Sequence, residues 1–481
     1  MKTLRDLHGP SGLPLLGNLL QFDLKRLHRQ LESWANQFGS IYLFEIARKP
    51  IVVFTDPEHI QTILRNRPKL YRRLSSIEPV FKEMGITGVF SAEGDDWKRQ
   101  RRLTAHAFDS KHLQQFFPTL LKVTERLRNR WLKAAKSSEP VDVQQDFMRY
   151  TVDVTTNLAF GYDMNTLETE GDVIQEHLEK IFPAINRRVN APFPWWRYFK
   201  LPEDRALDKA LAAIRNSIER FIAEARARLD KNPELAAHPT NLLEAMLVAR
   251  DEDNTTFSDD EIHGNALTML LGGEDTTANT LAWMTHFMSV YPEVQNAMHN
   301  EALGVVSETG MVGALEDTDR LPFVEAVTHE TMRLKPVAPV LFLETIEDVE
   351  VGGVGLPKQT AIMTLTLHGA LQNANFANAA TFNPERWLPT ELGRTGASPV
   401  PAGVRPAACP HNTRAFVPFG GGPRICPGRH LALIEIKAAM SMISAAFEIT
   451  KPSNATEPTE LFSFSMMPEN LRLNVRPRNE Q

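Results

Sequence analysis

The strongest constraint on the fold is a long predicted helix between residues 258 and 290. Ser258 and Glu261 have the spacing of a capping box, which places the first turn, and Pro292 marks the end. A run of roughly thirty helical residues spans about 45 Å at about 1.5 Å per residue. A helix of this length must cross most of the molecule, so the other elements are expected to pack around it.

The middle of this helix contains two adjacent glycines, Gly272 and Gly273, and then Asp275, Thr276 and Thr277. Two glycines in a helix interior cost on the order of 2 kcal/mol relative to alanines, so a compensating interaction is expected. One interpretation is that the missing Cβ atoms let a ligand approach the backbone, while the threonine hydroxyls bond a carbonyl one turn back. The alternative is that the two glycines allow close packing against a neighbouring helix and that the threonines are capping-type residues.

A second constraint is the loop from Phe416 to His430, which contains Cys426. Four glycines and three prolines in this segment exclude a continuous helix or strand. Backbone amides, the charge of Arg424 and the start of the next helix are expected to lower the pKa of the Cys426 thiol. A lone thiolate held in this way is a known ligand of heme iron. The alternative is a buried free cysteine beside a turn.

Two other uses of Cys426 fit the sequence less well. A zinc site fails because no second cysteine and no paired histidines lie at ligand spacing. A nucleophilic cysteine is weaker because no protease-like motif surrounds it. An iron-bound thiolate and a buried free cysteine remain as the two interpretations of Cys426.

The cysteine loop also matches a family pattern. Phe419, Gly422, Arg424, Cys426 and Gly428 fit Phe-x-x-Gly-x-Arg-x-Cys-x-Gly without a gap, and the loop resembles the heme-binding loop of the cytochrome P450 family. The resemblance implies a heme b cofactor with Cys426 as the axial iron ligand. It further implies that Arg424 binds a heme propionate, that Phe419 packs beside the sulfur, and that Gly428 belongs to the cofactor site.

A helix predicted to start with Asp95 or Asp96 as its cap carries a second match. Trp97 and Arg101 lie four residues apart and therefore share one helix face. They resemble the propionate-binding helix of the same family, which implies that both contact the cofactor.

The central helix resembles the oxygen-activating segment of the family, with Asp275 and Thr276 in the positions of the acid and the alcohol. The resemblance implies that they relay protons through water to bound oxygen, with Gly272 and Gly273 next to the heme. Gly272 stands where the family commonly has alanine.

Glu330 and Arg333 lie three residues apart and share one face of a helix predicted over residues 322–334. Alone, such a pair is usually a solvated surface contact. In the resembling family it joins the arginine of a Pro-Glu-Arg segment, which corresponds to Arg386 here, and Trp387 replaces the commoner phenylalanine. The resemblance implies a structural network that holds the cysteine loop.

Leu343 departs from the family pattern, because many members have an arginine near this position that binds a propionate. His411 is a candidate for a substitute contact.

A hydrophobic small-molecule substrate is expected from the apolar character of the candidate pocket residues. These residues are Met84, Phe90, Leu270, Val337 and Phe464.

Three basic residues of the helix after Gly94 point away from Trp97 and Arg101. One interpretation is a solvated face, and the other is a docking patch for an acidic electron carrier. The three residues are Lys98, Arg99 and Arg102.

The predicted fold is mainly α with a small β region, as in the cytochrome P450 fold, and a single catalytic domain over residues 1–481. Strands are expected at residues 41–46 and 50–54, and the β-rich parts are roughly 40–70 and 340–370. The stretch 71–90 is expected to be irregular, and a last strand pair is expected near 461–466 and 471–475.

A net charge of −6 argues against nucleic-acid binding. Two cysteines, Cys409 and Cys426, in 481 residues indicate a reducing compartment. No apolar run reaches the length of about 18 residues that a membrane span needs, so the expectation is a cytoplasmic monomer without a membrane anchor.

These features predict a heme-thiolate monooxygenase that inserts one oxygen atom of O2 into its substrate by hydroxylation or epoxidation. Electrons are expected from a separate ferredoxin or flavodoxin with its reductase, because nothing in the sequence resembles a flavin or iron–sulfur domain. One alternative is a peroxide-driven peroxygenase, and another is a non-catalytic heme-binding protein. The intact pair of Asp275 and Thr276 argues against both.

Overall fold

The computed structural model describes residues 2–105, 110–137, 139–169, 174–191, 193–249, 256–388 and 411–478. Predictions about Cys409 and most of the loop after Leu388 lie outside these residues. The helices of the described chain are α1 Leu27–Phe38, α2 Pro57–Arg65, α3 Glu78–Glu83, α4 Gly94–Ala105, α5 Ser110–Ser137, α6 Val143–Phe160, α7 Ile174–Leu178, α8 Ile181–Val189, α9 Pro202–Lys231, α10 Glu234–Ala237, α11 Leu242–Val248, α12 Asp259–Val290, α13 Pro292–Leu303, α14 Pro322–Leu334, α15 Thr366–Ala370 and α16 Arg429–Ala446.

The strands of the same residues form four small sheets, the largest in the order β1-β2-β8-β5-β3. Their bounds are β1 Ile41–Ile46, β2 Lys49–Phe54, β3 Tyr71–Arg73, β4 Val141–Asp142, β5 Val340–Thr345, β6 Val349–Val351, β7 Val354–Leu356, β8 Ala361–Leu365, β9 Phe447–Thr450, β10 Thr459–Ser463, β11 Ser465–Glu469 and β12 Arg472–Pro477. The expectation of a mainly α fold with a small β region is confirmed.

The central helix is α12, which extends over 32 residues from Asp259 to Val290. Its predicted capping box is present: the Glu261 amide donates to Ser258 Oγ at 3.3 Å, and the Ser258 amide donates to Glu261 Oε2 at 2.8 Å. Most of α12 is buried, and it packs against α6, α9, α14, α16 and β11. This helix therefore connects the two large hydrophobic clusters of the helical region.

The early hairpin forms as predicted, with β1 antiparallel to β2, and the sheet is completed by strands from residues 340–365. β2 pairs with β8 in parallel because the chain returns to this sheet after the helical region. The edge strand β3 was not predicted. It pairs antiparallel with β5, which places Arg73 directly opposite Leu343.

Several predicted boundaries are wrong. The strand expected at 461–466 is a hairpin, because the chain reverses at Phe464, whose φ of 71° lies in the left-handed region. The helix that contains Trp97 begins at Gly94, so Asp95 and Asp96 lie in its first turn rather than at its cap. The stretch 71–90 contains β3 and α3, since short elements stabilised by tertiary packing leave little periodicity in the sequence. No helix in the described ranges combines the length and the apolar character that a membrane span requires.

Candidate functional site

The loop around Cys426 is held by its own backbone and by α2. The Cys426 amide donates to the Phe419 carbonyl at 2.9 Å. Gly422 has a φ of 63°, and a Cβ atom at this position would collide with the backbone of Leu64 in α2. Glycine is therefore required where the loop crosses α2, and this close contact fixes the position of the cysteine.

The half-buried Cys426 thiol receives a hydrogen bond from the Gly428 amide at the start of α16. Burial raises the pKa of the thiol, while the Gly428 amide and the charges of Arg101 and Arg429 oppose this rise. The expected lowering of this pKa is therefore wrong for the protein alone, because desolvation outweighs the favourable contacts. Arg429, which the sequence analysis overlooked, contributes here in place of Arg424.

Three residues assigned to cofactor binding come together beside this loop. Arg101 Nη2 donates to the Ile425 carbonyl at 2.9 Å, so α4 is bound directly to the cysteine loop. The guanidinium carbon of Arg424 lies 4.7 Å from the ring centroid of buried Trp97. Arg424 also donates to the Ala92 carbonyl at 2.9 Å and to Glu93 Oε1 at 3.1 Å.

One face of α12 is accessible although most of the helix is buried. Gly272 and Thr276, one turn apart, are both exposed. Apart from the neighbouring residues and the backbone of α12 itself, no heavy atom of the described residues lies within 4 Å of a Cβ atom built at Gly272. Thr276 Oγ1 donates to the Gly272 carbonyl at 2.9 Å, as the sequence predicts. Gly273 instead faces α6, where a Cβ atom would collide with Thr155. The two glycines therefore have different surroundings: open space for one and helix packing for the other.

Asp275 is buried and faces the C-terminal hairpin. Ser465 is the first residue of β11, and its hydroxyl donates to Asp275 Oδ2. Burial raises the pKa of Asp275, and the Ser465 hydrogen bond opposes the rise. Ser465 comes directly after Phe464, a predicted pocket residue. Its contact with α12 could not be predicted, because the hairpin turn that directs Ser465 towards α12 has no recognisable sequence pattern.

Glu330 and Arg333 form a fully buried pair with two hydrogen bonds of 2.7 and 2.8 Å. Arg386 Nε donates to Glu330 Oε1 at 3.1 Å, which brings together the three residues of the predicted network. Trp387 Nε1 donates to Glu330 Oε2 at 2.8 Å, a contact that phenylalanine could not make. Arg333 also donates to backbone carbonyls of the segment that follows α15, including Ala379 at 2.7 Å.

His411 lies with this network and not with Arg424. Its ring stacks on Phe376 at a centroid distance of 4.9 Å and meets the edge of Trp387 at 4.6 Å. Burial, with a contribution from the charge of Arg386, lowers the pKa of this histidine.

Four phenylalanines form a cluster around the turn of the C-terminal hairpin, where Phe464 lies. The Phe464 ring centroid lies 5.6 Å from that of Phe182, 6.0 Å from that of Phe81 and 6.2 Å from that of Phe90. Phe90 and Phe464 were predicted pocket residues, whereas Phe81 and Phe182 were not singled out. Phe182 lies in α8, distant in sequence, and only the tertiary fold brings it to this cluster.

The other three predicted pocket residues are placed differently. Val337 is partly buried, and its carbonyl accepts the Met466 amide at 2.8 Å, which places it beside the C-terminal hairpin. Met84 and Leu270 are buried, at 3% and 1% exposure, in the hydrophobic cluster of α3, α8, α9 and α12.

The fold and the site define a class of protein: a helical protein in which a glycine-rich loop presents a cysteine and a long central helix presents an accessible glycine–threonine face. The sequence profile described as "Cytochrome P450" matches residues 7–475. The chain belongs to the cytochrome P450 family, whose members are heme b-containing monooxygenases that use O2 and electrons from a redox partner.

Individual relatives are similar over almost the whole chain. Cyclooctatin synthase of Streptomyces melanosporofaciens is 27% identical, over 98% of this chain and 95% of the relative. Cytochrome P450 94A1 of Vicia sativa is 24% identical, over 95% and 87%. The mitochondrial 25-hydroxyvitamin D-1 alpha hydroxylase of Rattus norvegicus is 27% identical, over 98% and 93%.

The residues present fit a heme. Heme b brings an iron that takes an axial ligand and two carboxylates that pair with cations. The Cys426 thiol could serve the first need, and the guanidiniums of Arg101 and Arg424 could serve the second. The open space beside Gly272 suits a flat group that approaches the helix backbone.

Proposed function

We propose that Cys426 is the axial ligand of the heme iron. The observation that carries this proposal is the fixed, half-buried thiol that accepts the Gly428 amide and lies near Arg101 and Arg429. These groups stabilise a thiolate once the iron displaces the thiol proton, because each favours the charged form of the sulfur. When bound, the heme supplies the iron at which O2 is activated.

The heme carboxylates are oriented by α4 and the cysteine loop. Trp97, Arg101 and Arg424 support this part of the proposal, because Arg101 contacts Ile425 of the cysteine loop and Arg424 of that loop packs on the Trp97 ring. Phe419 and Gly428 shape the sulfur side through the backbone. The open space beside Gly272 would allow a heme to lie close to α12.

Asp275 and Thr276 would hold and relay protons at the accessible face of α12. The raised pKa of Asp275 supports this role, because burial shifts the carboxyl towards its proton-donating form. Thr276 lies on the accessible face of α12 and Asp275 faces Ser465, so water is required to pass a proton between the two side chains.

The variants Asp275→Asn and Thr276→Val are expected to lower product formation by roughly 10²-fold, since each removes a proton donor from the relay. Oxygen consumption continues, and the reduced oxygen leaves as hydrogen peroxide. The ratio of product to reducing equivalents consumed measures this loss of coupling.

Thr280→Val is the matched control. Thr280 makes the same type of bond one turn further along α12, from its Oγ1 to the Thr276 carbonyl at 3.0 Å, but it is buried. Its coupling ratio should equal that of the wild type. Full coupling in Thr276→Val would contradict the proton-relay proposal.

The substrate is a hydrophobic small molecule that undergoes hydroxylation or epoxidation. Phe90, Phe464 and Val337 contact it, and the support is the aromatic cluster that Phe90 and Phe464 form with Phe81 and Phe182 beside the C-terminal hairpin. Met84 and Leu270 act through packing. One relative is named for the hydroxylation of 25-hydroxyvitamin D, which is consistent with this substrate class.

Electrons come from a separate ferredoxin or flavodoxin with its reductase, which docks over the cysteine loop. Supporting this, α4 contacts that loop through Arg101, so the outward charges of α4 lie on the surface near the thiol. Lys98 pairs with Asp95 at 2.8 Å, and Arg99 pairs with Asp96 and Glu261. Lys98 is 59% exposed and remains available to an acidic partner.

Lys98→Glu should raise the KM for an acidic ferredoxin by about fivefold at low ionic strength, and the effect should disappear in high salt. Steady-state turnover against ferredoxin concentration measures it. Lys200→Glu is the control, because Lys200 also pairs with an aspartate, Asp208, at 2.9 Å and is 42% exposed. Equal effects of the two variants would contradict docking at α4.

We further propose that residues 1–481 act as one catalytic domain and as a cytoplasmic monomer. The family match over residues 7–475 supports a single domain. The presence of only two cysteines in 481 residues supports a reducing compartment.

A further inference from the structure

Three arginines and one glutamate form a buried group beside the cysteine loop. This group, called the arginine cluster, consists of Arg67 after α2, Arg73 at the end of β3, Arg424 in the cysteine loop, and Glu93 before α4. Glu93 Oε1 lies 3.5 Å from Arg67 Nη2 and 3.1 Å from Arg424 Nη2, and it accepts the Arg73 amide at 3.1 Å.

The charges of the arginine cluster do not balance. The side chains of Arg67, Arg424 and Glu93 are only 8%, 6% and 11% exposed. Among the described residues, Glu93 is the carboxylate that offsets all three guanidiniums. Burial, followed by repulsion from Arg67 and Arg424, lowers the pKa of Arg73 to about 9. Two positive charges are thus left without a negative partner.

Two side-chain N–H groups of the arginine cluster also lack a hydrogen-bond acceptor among the described residues. Nε of Arg67 and Nε of Arg73 donate to no partner within the described ranges. Buried guanidinium groups normally have their donors satisfied, so unsatisfied nitrogens beside an excess of charge indicate a missing acceptor. A carboxylate is the acceptor that matches two N–H groups of one guanidinium.

The position of Arg73 connects it to the heme site. Arg73 Nη2 and Arg424 Nη2 donate to the same carbonyl, that of Phe90, at 3.0 and 3.3 Å. Arg73 also lies opposite Leu343 across the β3–β5 pair, and directly opposed residues in an antiparallel pair project from the same face. Arg73 can therefore supply a cation where Leu343 has none.

We propose that Arg73, supported by Arg67, binds a heme propionate together with Arg424, so that a heme carboxylate offsets part of the excess positive charge of the arginine cluster. This inference rests on the proposed ligation of the heme iron by Cys426. Arg73 of β3 would then make the propionate contact that Leu343 cannot make. His411 does not approach this position, because its ring packs on Trp387 beside Glu330.

Two measurements on the heme-loaded protein test this proposal. Arg73→Gln should speed heme transfer to excess apomyoglobin by roughly tenfold, as expected when one charge-assisted hydrogen bond is lost. The same variant should shift the propionate-bending band in the resonance Raman spectrum. Arg73→Lys, which keeps the charge, should have a smaller effect on transfer. Arg72→Gln is the matched control, because Arg72 is the preceding residue of β3 and pairs with Glu78.

Three results would overturn the proposal. Faster heme transfer without a Raman shift would mean that Arg73 only stabilises the fold, and no change in either would mean that it does not contact heme. If Arg73→Gln weakened the binding of dodecanoate but not of dodecanol, and left heme transfer unchanged, Arg73 would instead bind the carboxylate of an acidic substrate. Failure of the Cys426 proposal is distinguishable, because the wild type itself would then lack a thiolate spectrum.

Discussion

Cys426→Ser is expected to abolish the red-shifted Soret band of the reduced, carbon monoxide-bound protein and with it the monooxygenase activity. A serine hydroxyl cannot supply the thiolate electron density that favours O–O cleavage, although the loop backbone around it is unchanged. Absorption spectra of the wild type and the variant, recorded at equal heme content, measure the effect.

Two controls separate ligation from folding. The far-ultraviolet circular dichroism of Cys426→Ser should match that of the wild type, because the loop is held by the contact of Gly422 with α2 and by the Cys426 amide, which the variant retains. Arg429→Gln, which removes a nearby charge and a hydrogen bond to His430 but leaves the thiol, should keep the red-shifted band. An unchanged spectrum in Cys426→Ser would refute thiolate ligation.

Glu330→Gln is expected to destabilise the protein by about 3–5 kcal/mol, because it leaves the Arg333 guanidinium buried without its counter-charge. Glu330 also accepts bonds from Arg386 and Trp387, so one substitution disturbs the whole connection between α14 and the segment that leads to the cysteine loop. The midpoint of chemical denaturation, followed by circular dichroism and by heme absorbance, measures the loss.

Graded controls define the network. Trp387→Phe removes one hydrogen bond to a carboxylate and should cost about 1.5–3 kcal/mol, less than Glu330→Gln. Glu219→Gln breaks an exposed pair with Arg215 on α9 and should change stability by less than about 0.5 kcal/mol. Equal losses in Glu330→Gln and Glu219→Gln would show that the buried network contributes no more than a surface pair.

The sequence alone was sufficient for the features that depend on local chemistry. The start of α12 follows from Ser258 and Glu261, because a capping box is a contact between residues three apart. The hairpin of β1 and β2 follows from two short apolar runs on either side of a short turn. The pairing of Glu330 with Arg333 follows from helical spacing, and their burial was expected only from the resemblance to the family.

The tertiary structure decided where these local units place their side chains. Gly272 and Gly273 are equivalent in the sequence, yet one faces open space and the other Thr155, because adjacent helical residues project about 100° apart. The pKa of the Cys426 thiol depends on burial by elements distant in sequence. The direction of the pKa shift that the loop sequence alone predicts is therefore wrong.

The same reason explains the partners that only the structure revealed. Ser465 meets Asp275 because a hairpin turn directs β11 against α12, and Arg73 meets Arg424 because β3 pairs with β5 at the edge of the sheet. The sequence determined the helices, the cysteine loop and the class of chemistry through short-range patterns. The tertiary structure alone decided which charges are balanced and which side chains meet, because these depend on packing between distant segments.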